Sequence, residues 1–113
     1  MKEIKAFIQP HITGRVVMAL HDLPHFPGLT IVEAHGQGRG RGAGGTFKLT
    51  EDEIFYHKSK LISIISTDEL APAIVRAIRA AAHTGQHGDG LIVVTDVAQA
   101  VRIRTGEQSD AAI

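Results

Sequence analysis

The clearest chemical signal in this chain is a run of glycines, residues 36–45, which also carries Arg39 and Arg41. Glycine has no Cβ atom and adopts positive φ freely, so a run this dense forms no regular element and exposes its backbone N–H groups. The two guanidinium groups are the only fixed positive charges in the run. An exposed backbone that carries guanidinium groups suits an anion, so we expect an anion-binding loop here.

A second glycine cluster, G-Q-H-G-D-G, occupies residues 85–90 between a predicted helix and a predicted strand. Two interpretations are open. In one, the glycines only meet the backbone needs of a tight connector. In the other, the backbone from Gly88 to Gly90 approaches a phosphate or an adenine closely.

A third candidate group is the pair Arg102 and Arg104 near the C-terminus. The alternation of residues 101–105 predicts a terminal strand, and residues two apart on a strand share a side. Basic residues on a solvated edge strand commonly serve only to prevent aggregation. In the functional alternative the two guanidinium groups and Arg39 form a phosphate clamp.

Other chemistries have weaker support. The chain has no cysteine and no H-E-x-x-H motif, and Pro24 interrupts the metal-like spacing of His21 and His25, so scattered surface histidines are favoured over a metal site. Residues 40–45 match G-x-G-x-x-G by letter, but no helical pattern follows them. No Ser, His and Asp constellation stands out. The seven histidines that a metal site would draw on are at positions 11, 21, 25, 35, 57, 83 and 87. The sequence therefore predicts a protein that is not an enzyme.

The overall charge is balanced. Lys plus Arg and Asp plus Glu number 12 each, and the pI is near 7.1, so no bulk field favours nucleic acid or a membrane surface. Any anion site must be local. No apolar run approaches the ~20 residues of a membrane span. We expect one cytoplasmic domain, residues 1–113, that binds no nucleic acid.

The elements that position these groups follow from hydrophobic periodicity. Residues 4–8 alternate as a strand, Thr13 is the predicted N-cap of a helix that ends before Pro24, and residues 29–34 form a second strand. Residues 46–57 lack periodicity, which predicts a segment that is mobile or ordered by a partner.

The second half repeats this plan. Residues 61–66 form a strand, Asp68 is the predicted cap of an amphipathic helix that ends before Gly85, and residues 91–95 form a buried strand. Two successive β-α-β units predict the α+β, ferredoxin-like split fold, an antiparallel sheet with both helices on one face. The other face needs cover, which indicates a homo-oligomer.

Several motifs match one known family at the family's spacing. T-G-x-x-G-D-G at residues 84–90 is followed by an apolar strand and then by V-R-I-R-T-G-E at residues 101–107. Together with G-L-T at 28–30 and G-Q-G-R at 36–39, these motifs closely resemble the PII signal-transduction proteins, the nitrogen-regulatory family. The resemblance extends along the whole chain.

This resemblance implies a homotrimer of ferredoxin-like subunits with adenine-nucleotide sites in the clefts between neighbours. It also implies a long loop, about residues 38–56, that touches partner proteins and responds to the nucleotide. No cofactor is required, and the ligands are ADP, ATP or AMP, with or without magnesium. Carried over position by position, the implied site residues are Thr30, Gly38, Arg39, Ile65, Gly88, Asp89, Gly90, Arg102 and Arg104.

The departures from the family pattern bear on function. Leu91 replaces a phosphate-binding lysine, a change that weakens polyphosphate binding roughly 10- to 100-fold unless Arg41 substitutes. Gly40 and Ser59 replace residues that hold magnesium and 2-oxoglutarate, so a standard 2-oxoglutarate and nitrogen sensor is not expected. Asp52 stands where the family has a modifiable tyrosine. The effector, whether 2-oxoglutarate, bicarbonate or a metal, is left open.

The predicted function is therefore that of a non-enzymatic PII-like signalling protein that regulates an enzyme, a transporter or another regulator through its loop. Residues 24–28 and 36–45 resemble a divergent branch associated with heavy-metal efflux, which favours a membrane transporter or a metal response as the target. The alternative is a trimeric, divalent-metal-binding tolerance protein of the same fold that uses the histidines. RNA binding ranks last, because the chain has neither a basic field nor interleaved aromatic residues.

Overall fold

The computed structural model describes residues 1–36 and 58–113. The predicted loop at 38–56, with Gly38, Arg39 and Arg41, lies outside the described residues. No described helix is long and apolar enough to cross a membrane. The described chain contains four strands and two α-helices: β1 Lys2–Ile8, α1 Thr13–His21, β2 Thr30–His35, β3 Lys58–Ser66, α2 Ala71–Ala82 and β4 Leu91–Asp96.

The four strands form one antiparallel sheet in the order β2-β3-β1-β4. In its register Ile4 pairs with Ile64 of β3 and with Val94 of β4. Both helices lie against the face that carries Ile4, because the buried side chains of α1 and α2 belong to the same core cluster as Ile4. The ferredoxin-like prediction is confirmed. The fully buried apolar side chains of this core are Ile4, Ala6, Val16, Leu20, Ile62, Ile74 and Ile78.

The opposite face of the sheet carries an apolar row across all four strands. Val32 pairs with Leu61, Leu61 with Phe7, and Phe7 with Leu91. These side chains point away from the helices, because residues of opposite parity on β1 and β3 are the buried ones. The exposed fractions are 37% for Phe7, 47% for Val32 and 64% for Leu91. A single chain therefore leaves this apolar row uncovered in its described part.

The two predicted helix caps are wrong. Thr13 is the first residue of α1, and its hydroxyl donates to the carbonyl oxygen of Pro10 at 2.8 Å, because a 3-10 turn runs directly into the helix. Asp68 instead accepts a hydrogen bond from the N-terminal ammonium of Met1 at 2.7 Å. The hydroxyl of Thr67 takes its place near the start of α2 and accepts from the N–H of Leu70 at 3.3 Å.

Two strand predictions also need correction. β4 is not buried, because it is an edge strand with one uncovered face. Residues 101–105 form no strand. Val101 makes an isolated bridge to Gln108, the N–H of Arg102 donates to the carbonyl oxygen of Glu107 at 2.8 Å, and the N–H of Gly106 donates back to Arg102 at 2.7 Å. Gly106 has a φ of 75°, so the chain reverses there and its backbone bonds stay local.

Candidate functional site

A cleft of about 580 Å³ lies on the open face of the sheet, beside β2 and β3. The C-terminal segment forms its other wall. The cleft brings together four residues of the predicted site, namely Thr30, Ile65, Arg102 and Arg104. Sequence reasoning missed further lining residues, among them Ser63 and Ile113. Neither residue belongs to a sequence motif. Only the register of β3 and the path of the C-terminal segment bring them into the cleft.

A short hairpin holds the two arginines in place. Besides the backbone bonds that join Arg102 to Glu107 and Gly106, the hydroxyl of Thr105 donates to the carboxylate of Glu107 at 2.8 Å. The N–H of Glu107 donates to the same hydroxyl at 3.2 Å. The arginines therefore share one cleft although they do not lie on a strand.

Both guanidinium groups are open to a ligand. Arg102 and Arg104 are exposed, and neither forms an ion pair with any carboxylate in residues 1–36 or 58–113. Paired guanidinium groups present several N–H donors in a fixed planar arrangement that matches phosphate or carboxylate oxygens. The cleft thus has donors for an anion at one end and apolar surface from Ile65 beside it.

The turn at residues 85–90 is organised by the carboxylate of Asp89. This carboxylate accepts hydrogen bonds from the hydroxyl and the N–H of Thr84, the latter at 2.8 Å, and from the N–H of Gly85 at 3.0 Å. The Thr84 hydroxyl, together with these N–H groups, holds the pKa of the Asp89 carboxyl below its ordinary value. Nδ1 of His83 lies 3.6 Å from the same carboxylate. The carboxylate of Asp89 is therefore hydrogen-bonded to other residues of the turn.

The same turn presents its backbone to solvent. The φ angle is positive at Gly88 (89°) and Gly90 (108°) but not at Asp89. An alternation of this kind is typical of concave backbone sites whose successive N–H groups bind an anion. No described residue accepts a hydrogen bond from the N–H groups of Gly88, Asp89 or Gly90. These donors are available to a ligand.

The turn and the arginine cleft lie on opposite sides of one chain. Asp89 and Gly90 line a separate groove of about 390 Å³ between α2 and β4, whereas the arginines lie beside β2 and β3. β2 and β4 are the two edges of the four-stranded sheet, roughly 14 Å apart at the usual strand spacing. One chain therefore does not bring all the predicted residues together. Gly38 and Arg39 lie outside the described residues, so the clamp of three arginines stays a prediction.

The described histidines show no metal centre. Within residues 1–36 and 58–113, no group of three or more His, Asp or Glu side chains could hold a metal ion. The ring of His21 instead packs edge-on against Phe26, with centroids 5.4 Å apart and an interplanar angle of 75°. His25 follows the helix with a φ of 60°. The helix α1 ends at His21, before Pro24, so His21 and His25 do not share a helix.

Comparison with known proteins gives a consistent match. The family model described as "Nitrogen regulatory protein P-II" matches residues 1–107. The Nitrogen regulatory protein P-II of Azospirillum brasilense is 40% identical over 113 residues, which is 100% of both chains. That of Rhizobium meliloti (strain 1021) is 38% identical over 107 residues, or 95% of each chain. The Nitrogen regulatory protein P-II 1 of Escherichia coli (strain K12) is 38% identical over 113 residues, again 100% of both.

Proposed function

The chain belongs to the nitrogen regulatory protein P-II family, whose members are signalling regulators and not enzymes, and on that premise we propose that it binds adenine nucleotides between copies of itself. We further propose that the bound nucleotide controls a partner protein through residues 38–56. The observation that carries the proposal is the presence of Arg102 and Arg104 in one cleft with Thr30, without an ion pair to any carboxylate of the described residues.

The cleft that holds Arg102 and Arg104 (the arginine cleft) and the turn at residues 85–90 (the glycine turn) are the two half-sites of the proposed ligand site. Their chemistry supports a nucleotide as ligand. The arginine cleft supplies charged donors, the hydroxyl of Thr30 and the apolar side chain of Ile65. The glycine turn supplies the N–H groups of Gly88 to Gly90, which donate to no acceptor in residues 1–36 or 58–113 and suit phosphate oxygens. A phosphate chain joined to an adenine uses both kinds of surface. The proposed ligands are ADP, AMP and ATP.

The arrangement of the half-sites supports a homotrimer. Each chain carries one arginine cleft and one glycine turn on opposite sides of its sheet, so a closed ring of chains places the turn of one copy against the cleft of the next. The apolar row of Val32, Leu61, Phe7 and Leu91 then finds cover against neighbouring copies. Ile103, which is 100% exposed in the single chain, lies beside the arginines and finds cover in the same way.

The path of the chain supports control through the loop. β2 ends at His35 and β3 begins at Lys58, both at the end of the sheet where Ile8 pairs with Lys60. The glycine turn lies at this end as well, since it precedes Leu91, the partner of Phe7. A ligand at the turn therefore lies at the same end of the sheet as the base of the loop. We propose a membrane transporter or a metal response as the regulated target.

Calorimetry on the purified protein tests this function. AMP, ADP and ATP are titrated with and without magnesium, and the titrations are repeated with 2-oxoglutarate and with bicarbonate. We expect a trimer by light scattering and one nucleotide site per chain. A monomeric protein, or the absence of binding heat with all three nucleotides, would falsify the proposal.

A further inference from the structure

Gln9 makes a contact that none of the motifs predicts. It follows directly on β1, is half-buried, and its Nε2 donates a hydrogen bond to the carbonyl oxygen of Gly88 at 3.0 Å. The side-chain amide can take only one orientation here, because the reverse orientation would set two oxygen acceptors against each other. A side chain at the end of the first strand thus forms a hydrogen bond with the backbone of a turn 79 residues later.

The contact fixes the direction of a donor on the other side of the same peptide. The described chain contains no cis peptide bond, and in a trans peptide the C=O and the following N–H point in opposite directions. Because Gln9 holds the carbonyl of Gly88, the N–H of Asp89 points away from Gln9. That N–H is one of the free donors of the turn.

The rest of the turn is held by other means. The carboxylate of Asp89 fastens Thr84 and Gly85, and Gly90 is confined by the backbone of Phe7. Neither contact is a hydrogen bond to the peptide between Gly88 and Asp89. Without Gln9 this peptide has no partner in the described part of the chain, and a glycine on its N-terminal side leaves it free to rotate.

We propose that Gln9 is a positioning residue, which fixes the Gly88–Asp89 peptide so that its N–H faces the phosphate of the bound nucleotide. The proposal rests on the proposed function, since it concerns the phosphate end of that site. Gln9 itself contacts the turn and not the ligand, so its effect is on phosphate affinity and not on recognition of the adenosine part.

The test compares Gln9→Leu with Gln86→Leu in the full-length protein. Both substitutions remove an amide of the same size, but the side chain of Gln86 makes no hydrogen bond in the described part of the chain, although it lies in the same turn. Dissociation constants for ADP and for adenosine are measured for each variant, with the oligomeric mass and Tm recorded. A second readout needs no ligand, namely the NMR position of the Asp89 amide.

Gln9→Leu is expected to weaken ADP binding about 3- to 10-fold, the loss expected for one neutral hydrogen bond, and to leave adenosine binding unchanged. It is also expected to move the Asp89 amide resonance, whereas Gln86→Leu changes neither. Equal losses for ADP and adenosine, or wild-type ADP affinity with an unmoved resonance, would overturn the assignment of Gln9. A wild-type protein that binds no ADP would instead overturn the proposed function, and the role of Gln9 with it.

Discussion

A Cβ atom on Gly90 would lie 1.7 Å from the carbonyl oxygen of Phe7. The glycine turn is therefore pressed against the end of β1, and no side chain fits between the two backbones. Gly90 also has a φ of 108°, which L-residues rarely adopt. This contact joins the proposed phosphate-binding backbone to the sheet at the end where residues 37–57 begin and end.

Gly90→Ala is accordingly expected to lower the free energy of unfolding by at least about 2 kcal/mol and to displace the turn. Gly28→Ala is the matched control, because Gly28 has the same φ of 108° but nothing within 4 Å of the added Cβ. Denaturant unfolding of the two variants separates backbone strain from the clash. If Gly90→Ala and Gly28→Ala lower the free energy of unfolding equally, the close contact with Phe7 does not destabilise the Gly90 variant.

The carboxylate of Asp89 should make stability depend on pH. The Thr84 hydroxyl and the neighbouring N–H groups lower the pKa of this carboxyl in the folded state. The carboxylate therefore stabilises the fold fully above the unfolded pKa, near 4, and this stabilisation is lost as the pH falls through the lowered pKa. Asp89→Asn should reduce Tm at neutral pH, and the difference from wild type should shrink below pH ~4. Asp22→Asn, which removes a carboxylate that accepts no hydrogen bond from the described residues, is the control. A Tm difference that stays constant with pH would contradict the account.

Replacement of either arginine of the cleft should abolish tight nucleotide binding without loss of stability. Arg102→Ala and Arg104→Ala each remove a charge-assisted contact of about 1.5 to 3 kcal/mol, which corresponds to roughly 10- to 150-fold in affinity. Arg76→Ala, on the solvent side of α2, is the control and should bind normally. Calorimetry with ADP measures the effect. Unchanged affinity in both cleft variants would remove these side chains from the site.

The apolar row on the open face should hold the copies together. Val32→Asp places a charge in the row and is expected to give monomers or dimers by light scattering. Met18→Asp places the same charge on α1, where Met18 is 69% exposed, and should leave the trimer intact. A trimer in both variants would show that the row is not the interface.

Local periodicity was enough to predict most of the fold. Four of the five predicted strands and both helices lie close to the predicted positions, since alternation and helical spacing depend on neighbouring residues. The exposure of β4 and the hairpin at residues 101–108 were not predictable in this way. The first depends on the place of β4 at the edge of the sheet, and the second on Gly106 and on backbone bonds between Arg102 and Glu107.

The candidate site shows the same division. The sequence predicts the turn from its cluster of glycines, and it predicts a role for Arg102 and Arg104 from their charge and spacing. The contact from Gln9 to Gly88 joins residues that are 79 positions apart in the sequence, and only the folded chain reveals it. The placement of the two half-sites on opposite sides of the sheet is likewise a property of topology.

If each nucleotide lies between the arginine cleft of one copy and the glycine turn of another, mixed trimers of two defective variants should regain binding sites. One chain carries Arg102→Ala with Arg104→Ala, the other carries Asp89→Ala, which releases Thr84 and Gly85. ADP stoichiometry is measured after equal amounts are unfolded and refolded together, at concentrations where neither variant binds alone. Roughly a quarter of the sites should recover, since that share of clefts joins two intact halves. If the mixture forms trimers but no site recovers, the nucleotide does not bind between copies.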